Sequence, residues 1–428
     1  MDFINEIIGV PRLLLNRPNS NVVFFGTLKK SISKEELQKI IFNLSHKHKL
    51  LNCKINSNND TFYYLIDKNI EPDIVQYSNT NIEDLLKKEL KHFFDIEKGP
   101  LIKFGLLKKN KEMTLIINSH HTICDGMSLV YLFKDIEKML LGIDIDYSSR
   151  KFLFLEPSNI PQNLGNWLEK FIFYFINKKW SKKKFSITNM ERLSIHEGFW
   201  RKHEPQLFIH CFSEEETAKI ITRCKENRIT VNTGITTGLL YIQHKLLEKK
   251  NYSDNFIIAD NLRQYLIDDP KDKLGYFASA LRLKLRYNNN LNFWENAMQF
   301  QSRIQKEFDT NKFESQKINL LSPKLLDAIL LNLFGYRDDK IAKKMIRKSN
   351  MDIVNSTFTI ANLGLVHSEE NSLINTLQGP VVYSDTMEKY VGVLTYNKKL
   401  RMIISSNPKL VSNSEVQAII GQLIGLFK

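Results

Sequence analysis

The 428-residue sequence predicts an α/β or α+β fold, and three kinds of observation support this prediction. Ser-x-x-Glu helix-start signals occur at Ser33, Ser213 and Ser412, each followed by an apolar stripe of helical period. Short apolar runs, such as 115–117 and 256–259, have the length of buried strands. Apolar residues make up 43% of the chain. That content is enough for a large core, and the length suggests about two or three domains.

The first half alternates strands with helices. Periodicity predicts strands at 22–25, 101–107 and 113–121, with helices at 33–51 and 81–94. His46 and His48 fall at the end of the first of these helices. We interpret both as polar residues favoured there by the helix dipole.

The stretch 143–206 is punctuated by three prolines and is predicted to connect two halves. Within it, Trp167 to Lys184 combines a nearly continuous apolar run with five lysines around Trp180. Two interpretations stay open. The favoured one is a linker helix on the core with a solvated basic end, and the other is a helix lying in a membrane surface.

The second half begins near Leu207 and again mixes capped helices with strands. Its landmarks, in chain order, are a strand at 256–259 leading into Asp260-Asn261-Leu262-Arg263, the segment Leu274-Gly275-Tyr276-Phe277, a strand at 281–285, a strand at 357–365 containing Ala361-Asn362-Leu363-Gly364, a hairpin at 391–405 and a last helix from Ser412.

The stretch 113–132 is the most informative. A buried strand ends in His120 and His121, a three-residue turn follows, and Asp125 and Gly126 open an amphipathic helix. Since side chains alternate along a strand, the two histidines point to opposite faces and cannot share one role. An imidazole held between a strand end and a helix start is rigid enough for chemistry.

The pattern His-His-x-x-x-Asp-Gly at 120–126 resembles the signature of the chloramphenicol acetyltransferase-like superfamily. Its members include CoA-dependent and alcohol O-acyltransferases, polyketide-associated acyltransferases and the condensation domains of nonribosomal peptide synthetases. The flanks fit as well. The stretch 93–101 is similar to the Phe-Asp-x-x-x-Gly-Pro-Leu turn of condensation-type proteins, and the segments around Arg263, 274–277 and 361–364 match second-half features of the family.

The resemblance covers essentially the whole chain and implies two similar lobes in a V, with the active-site channel between them. It places the N-terminal lobe at 1–180, with a linker from about 143, and the C-terminal lobe at 181–428.

The resemblance also implies roles for particular residues. By matching position, His121 is the candidate general base and His120 is structural. Asp125 is expected to turn away from the histidine and pair with Arg263, which fixes the loop. Gly126 is expected to leave room for substrate.

Asn362 is a weaker candidate for a polar substrate-binding residue near the channel. It belongs to the segment that resembles the Ser-Asn-Leu-Gly strand end of these acyltransferases.

The function implied is transfer of an acyl group from a thioester to an alcohol or amine. The donor is acyl-CoA or a phosphopantetheinyl carrier thioester acting as co-substrate, with no bound cofactor. The alternative is a stand-alone condensation enzyme that forms an amide between carrier-bound partners. A third hypothesis is a binding protein that keeps the fold, with Trp167 to Lys184 at a membrane surface.

The expected partners are a small-molecule acceptor and an acyl or peptidyl carrier protein. The expected location is the cytoplasm.

Other chemistries are less favoured by the sequence. Cys124 lies beside the histidines, which suggests the possibility of a Cys-His nucleophilic enzyme. His120 or His121 together with Asp125 suggests a non-haem iron triad, but the spacing differs from the usual His-x-Asp. Four cysteines without CxxC give no disulfide or zinc pattern. The formal charge of +14 fits a lysine-rich surface or an acidic partner. No nucleic-acid motif accompanies it, so no nucleic-acid partner is expected.

Overall fold

A computed structural model describes residues 2–58, 61–109, 112–147, 154–181, 187–246, 255–349 and 356–427. The strands within these ranges are β1 (Asp2–Glu6), β2 (Asn21–Leu28), β3 (Cys53–Asn58), β4 (Thr61–Ile66), β5 (Asp73–Tyr77), β6 (Ile102–Lys109), β7 (Glu112–His120), β8 (Gln206–Cys211), β9 (Asn255–Asn261), β10 (Ala278–Lys284), β11 (Ser356–Val366), β12 (Ile374–Val381), β13 (Met387–Tyr396) and β14 (Lys399–Ser406).

The α-helices of the same ranges are α1 (Gly9–Leu15), α2 (Lys34–Leu44), α3 (Ile82–Leu90), α4 (Gly126–Leu140), α5 (Trp167–Ser181), α6 (Asn189–Trp200), α7 (Glu214–Glu226), α8 (Val231–Tyr241), α9 (Phe293–Asn311), α10 (Pro323–Leu333), α11 (Lys340–Ser349) and α12 (Asn413–Leu423). The mixed α/β class predicted from the sequence is thus confirmed. No helix within the described ranges has both the length and the apolar content needed to cross a bilayer.

Two large sheets form the two lobes. The first is five-stranded in the order β12-β2-β7-β6-β5, and the second is six-stranded in the order β10-β9-β11-β13-β14-β8. A small sheet, β1-β4-β3, lies beside the first. Each large sheet has its own hydrophobic cluster, the first around Phe24, Phe104 and Phe133 and the second around Phe256 and Phe358.

The predicted helix starts are present. The hydroxyls of Ser33, Ser213 and Ser412 each accept a hydrogen bond from the backbone N–H of the glutamate three residues on, at 3.0 to 3.2 Å. This satisfies one of the N–H groups that a helix start leaves unpaired. The predicted hairpin is also present as β13 and β14, with Asn397 and Lys398 at positive φ in its two-residue turn.

One strand does not follow the order of the chain. β12 belongs to the second half of the sequence, yet it pairs antiparallel with β2 and completes the edge of the first sheet. The predicted division at 180/181 did not anticipate this exchange, and as a domain boundary it stays a prediction. The exchange joins the two lobes through backbone hydrogen bonds as well as through side chains.

Candidate functional site

The junction of β7 and α4 builds the first wall of the site. β7 lies between β2 and β6, and its last residue, His120, is opposite Asn21. Asp125 caps α4, and its Oδ1 accepts a hydrogen bond from the N–H of Ser128 at 2.8 Å. The strand end and the helix start are therefore both fixed, and His121 is held between them.

His121 has one defined tautomer. Its Nδ1 lies 2.7 Å from the carbonyl oxygen of Cys124. Because a carbonyl only accepts, Nδ1 carries the proton and Nε2 is the basic nitrogen. Burial lowers the pKa of His121 below its usual value, against smaller opposing effects of the Cys124 hydrogen bond and the charge of Asp125. The ring is therefore neutral at pH 7, as a proton acceptor must be.

His120 lies on the opposite side of the strand end. It is buried, and its Nδ1 accepts a hydrogen bond from the N–H of Thr122 at 3.3 Å. Burial lowers its pKa to about 3, so it stays uncharged. It lines a cavity of about 30 Å³ with His92 and His196, away from the cavity that His121 lines. This placement supports the predicted structural role.

Asp125 is engaged by three donors. Besides the N–H of Ser128, its Oδ2 accepts from Arg263 Nη1 at 2.8 Å and from the N–H of Phe277 at 2.9 Å. Asp125 and Arg263 are both nearly inaccessible to solvent. The ion pair joins the helix start of the first lobe to the second half of the chain, at the partner that the resemblance implied.

Two further side chains hold the segment 274–277 against the first lobe, and the sequence analysis missed both contacts. Ser128 Oγ accepts from Arg263 Nη2 at 2.8 Å and donates to the carbonyl oxygen of Gly275 at 2.6 Å. His48 accepts the N–H of Leu274 at Nδ1, at 3.1 Å, and donates through Nε2 to Asp135 at 2.8 Å. His48 is thus a buried connector between the halves, and our interpretation of it as a helix-end residue was wrong. His46 is exposed.

A cavity of about 310 Å³ lies between the two sheets, with His121 in its wall. The first lobe contributes Val22, His121, Asp125, Gly126 and Met127, and the second half contributes Ala259, Asp260, Asn261, Ala278, Ala361, Asn362, Leu363, Gly364, Pro380, Val382 and Tyr390. None of these residues is Lys or Arg. These wall residues thus bring no lysine or arginine to the cavity, although the protein as a whole has a formal charge of +14.

Asp260 is the notable residue that sequence analysis did not select. It is partly buried in the wall, and its Oδ2 is buried without a hydrogen-bond partner among the described residues. Burial raises its pKa to about 6, against smaller effects of the Asn261 N–H and the charge of Lys312. The sequence feature that could have identified Asp260 as a candidate site residue is its position directly after the strand at 256–259. Only the folded structure shows that this strand end lines the same cavity as His121.

Asn362 and Gly126 also lie in the wall. Asn362 Oδ1 accepts the N–H of Gly364 at 2.9 Å, which leaves its NH₂ group as the available donor. A Cβ on Gly126 would come within 3.0 Å of Leu363 Cδ2. Gly126 therefore provides the close approach between the lobes as well as open space in the cavity.

The geometry does not favour the two alternative chemistries. Cys124 is fully buried, burial raises the pKa of its thiol, and its Sγ is 3.7 Å from the carbonyl oxygen of His120. A buried protonated thiol is a poor nucleophile. The carboxylate of Asp125 is already occupied by Arg263 and two N–H groups. Within the described ranges, no three histidine, cysteine or carboxylate side chains are grouped as metal ligands.

Comparisons with known proteins agree with this architecture. Residues 15–143 match the Condensation domain family. The fold is similar to that of the condensation domain of the Monacolin K polyketide synthase MokA, with a TM-score of 0.61, 10% identity and coverage of 99% of this chain and 96% of that one. Residues 15–143 are therefore similar to condensation domains in sequence, and the chain as a whole is similar to them in fold. Its two-lobe fold, expected from the resemblance, is confirmed.

Two other similarities are to an acetyltransferase of known structure and to a curated synthetase. The trichothecene 15-O-acetyltransferase TRI3 of Fusarium sporotrichioides has a TM-score of 0.62 at 12% identity, covering 99% of this chain and 94% of that one. The hybrid PKS-NRPS synthetase XenE of Xenoacremonium sinensis is 27% identical over 182 residues, which is 37% of this chain and 4% of that protein. The chain spans less than a tenth of the length of the first curated relatives it matches.

Proposed function

We propose that the protein transfers an acyl group from a thioester to an alcohol or amine, with His121 as the general base. The observation that carries this proposal is the tautomer and setting of His121: a neutral ring, protonated at Nδ1, in the wall of a cavity between two lobes. A base in this state is ready to accept a proton as the acceptor attacks.

The proton and electron balance is simple. Nε2 of His121 takes the proton of the acceptor's O–H or N–H while the acceptor oxygen or nitrogen bonds to the thioester carbon. The resulting tetrahedral oxyanion needs a hydrogen-bond donor, for which the NH₂ group of Asn362 is our candidate. The C–S bond then breaks, and the imidazolium returns its proton to the leaving thiolate. Arg263 and Asp125 act indirectly, because their ion pair fixes the loop that positions His121.

The thioester is acyl-CoA or a carrier-bound acyl group, and two observations favour different donors. The Condensation match over 15–143, together with similarity to the synthetase XenE, supports a carrier thioester and amide formation. Likeness to TRI3, named an O-acetyltransferase, supports a small donor and an alcohol acceptor. We rank acyl transfer in the general sense first and carrier-dependent condensation second.

Release of free thiol, measured with acyl-CoAs and with acyl carrier proteins in the presence of an acceptor panel, tests the proposal. We expect His121→Ala to lower kcat by about 10²- to 10⁴-fold, the usual contribution of a general base. His46→Ala, at an exposed histidine, is the matched control and should leave the rate unchanged. Equal rates for wild type and His121→Ala with every active donor would contradict the role of His121. The donor class that supports turnover selects between the two candidates.

A further inference from the structure

Helix α5 has an apolar face on each side. Its inner face carries Phe173, Ile176 and Trp180, which pack into a cluster with residues of α10 and α11. Its outer face carries large apolar side chains at high exposure, namely Trp167 (78%), Tyr174 (58%), Phe171 (56%), Phe175 (53%), Leu168 (48%) and Ile172 (45%). Soluble surfaces rarely carry an apolar patch of this kind without a partner.

The exposure does not come from a loosely attached helix. Asn177 donates to the carbonyl oxygen of Leu320 and accepts from the N–H of Ser322, both at 2.8 Å. Glu169 pairs with Lys317 at 3.0 Å. Trp180 is 1% exposed. The inner face is thus fixed by hydrogen bonds, an ion pair and packing, so the outer face is held toward solvent.

The charged residues of α5 and α11 are all basic except Glu169. Lys178 and Lys179 are exposed at the end of α5, and Lys344 and Arg347 are exposed on α11, which shares the inner apolar cluster with α5. The single acid of α5, Glu169, is the one paired with Lys317. An aromatic face bordered by lysines and free of unpaired acids suits the boundary between the acyl chains and the headgroups of an anionic bilayer.

We propose that the outer face of α5 binds the surface of an anionic phospholipid bilayer, with the helix lying in the membrane plane. The fifteen-residue helix is about 22 Å long. Its aromatic side chains enter the acyl boundary, while the lysines extend to the phosphates. A bilayer fits this face better than a protein groove, because the aromatic side chains protrude from a convex helix.

Co-sedimentation of the full chain with vesicles tests this. The vesicles are phosphatidylcholine alone or phosphatidylcholine mixed with phosphatidylglycerol. We expect wild type to bind the anionic vesicles, the double variant Phe171→Asn with Phe175→Asn to bind at least about tenfold more weakly, and Lys178→Glu with Lys179→Glu to lose only the preference for anionic vesicles. Ile221→Asn, at an exposed apolar residue of α7 (44%), is the matched control and should bind like wild type.

A second measurement does not depend on the folding of the double variant. The fluorescence of wild type should shift to shorter wavelength on adding anionic vesicles, and Trp167→Phe should remove that shift. Failure of wild type to bind either vesicle, or equal binding by the double variant, overturns the proposal. So does a wild-type dimer that binds no vesicles and becomes a monomer in the double variant, because a second copy would then cover the face.

Discussion

The two walls of the cavity differ in how far apart their residues lie in the sequence. Apart from Val22 of β2, the first wall belongs to one continuous stretch, residues 112–140, and its strand, turn and helix start could be predicted from spacing alone. The second wall is assembled from β9, β10, β11, β13 and the end of β12, and its residues are spread from 259 to 390 in the sequence. Local patterns define the first wall, whereas only sheet pairing defines the second.

The contact that joins the two walls is the buried pair of Asp125 and Arg263. We expect Asp125→Ala to lower the free energy of unfolding by about 3–5 kcal/mol, because it leaves the Arg263 guanidinium buried without its carboxylate. Urea denaturation of each variant measures this loss. Glu215→Ala is the matched control, since it breaks an exposed pair with Lys219 and should cost at most about 1 kcal/mol. Equal midpoints for the two variants would show that the pair does not join the walls energetically.

The second wall is tested through Asp260. We expect Asp260→Asn to raise KM for amine acceptors about tenfold, through loss of a charged hydrogen-bond acceptor. KM for neutral alcohol acceptors should change less. Steady-state kinetics with paired acceptors of similar size makes the comparison. The same change in KM for both acceptor classes would mean that Asp260 only shapes the wall.

The pH dependence of kcat/KM distinguishes the ionisation of His121 in the first wall from that of Asp260 in the second. His121 must be neutral to act, and burial lowers its pKa, so kcat/KM should rise with pH through a value below 6.5 and then level off. Asp260, with a pKa of about 6, ionises in the same window. In Asp260→Asn the acid limb should therefore report one ionisation, that of His121. An unchanged limb in this variant would show that the ionisation of Asp260 does not affect turnover.

The smallest expected effect is at the point where the walls touch. Gly126→Ala would place a Cβ 3.0 Å from the flexible end of Leu363, so a loss of about 1 kcal/mol in unfolding free energy is expected. Adding Leu363→Ala should remove the crowding, and a double-mutant cycle measures that coupling. Purely additive losses would place the cost elsewhere than in this contact.

The sequence accounts for more of the fold than of the site. Capping serines, the hairpin turn at 396–399 and the strand before His120 were all predictable, because each depends on neighbours within a few residues. The role of His48 was not, because its partners Asp135 and Leu274 lie about 90 and 230 residues away. Asp260 was missed for the same reason. Asp125 and Arg263 were paired in advance only through the family resemblance.

The exchanged strand has a consequence for biosynthesis. Because β12 forms an edge of the first sheet, that sheet lacks a strand until residues 374–381 have left the ribosome. A nascent chain that ends near residue 180 would expose the unpaired edge of β2, a site for aggregation. The N-terminal lobe should therefore mature late in translation, and fragments cut at the linker should be poor candidates for separate expression.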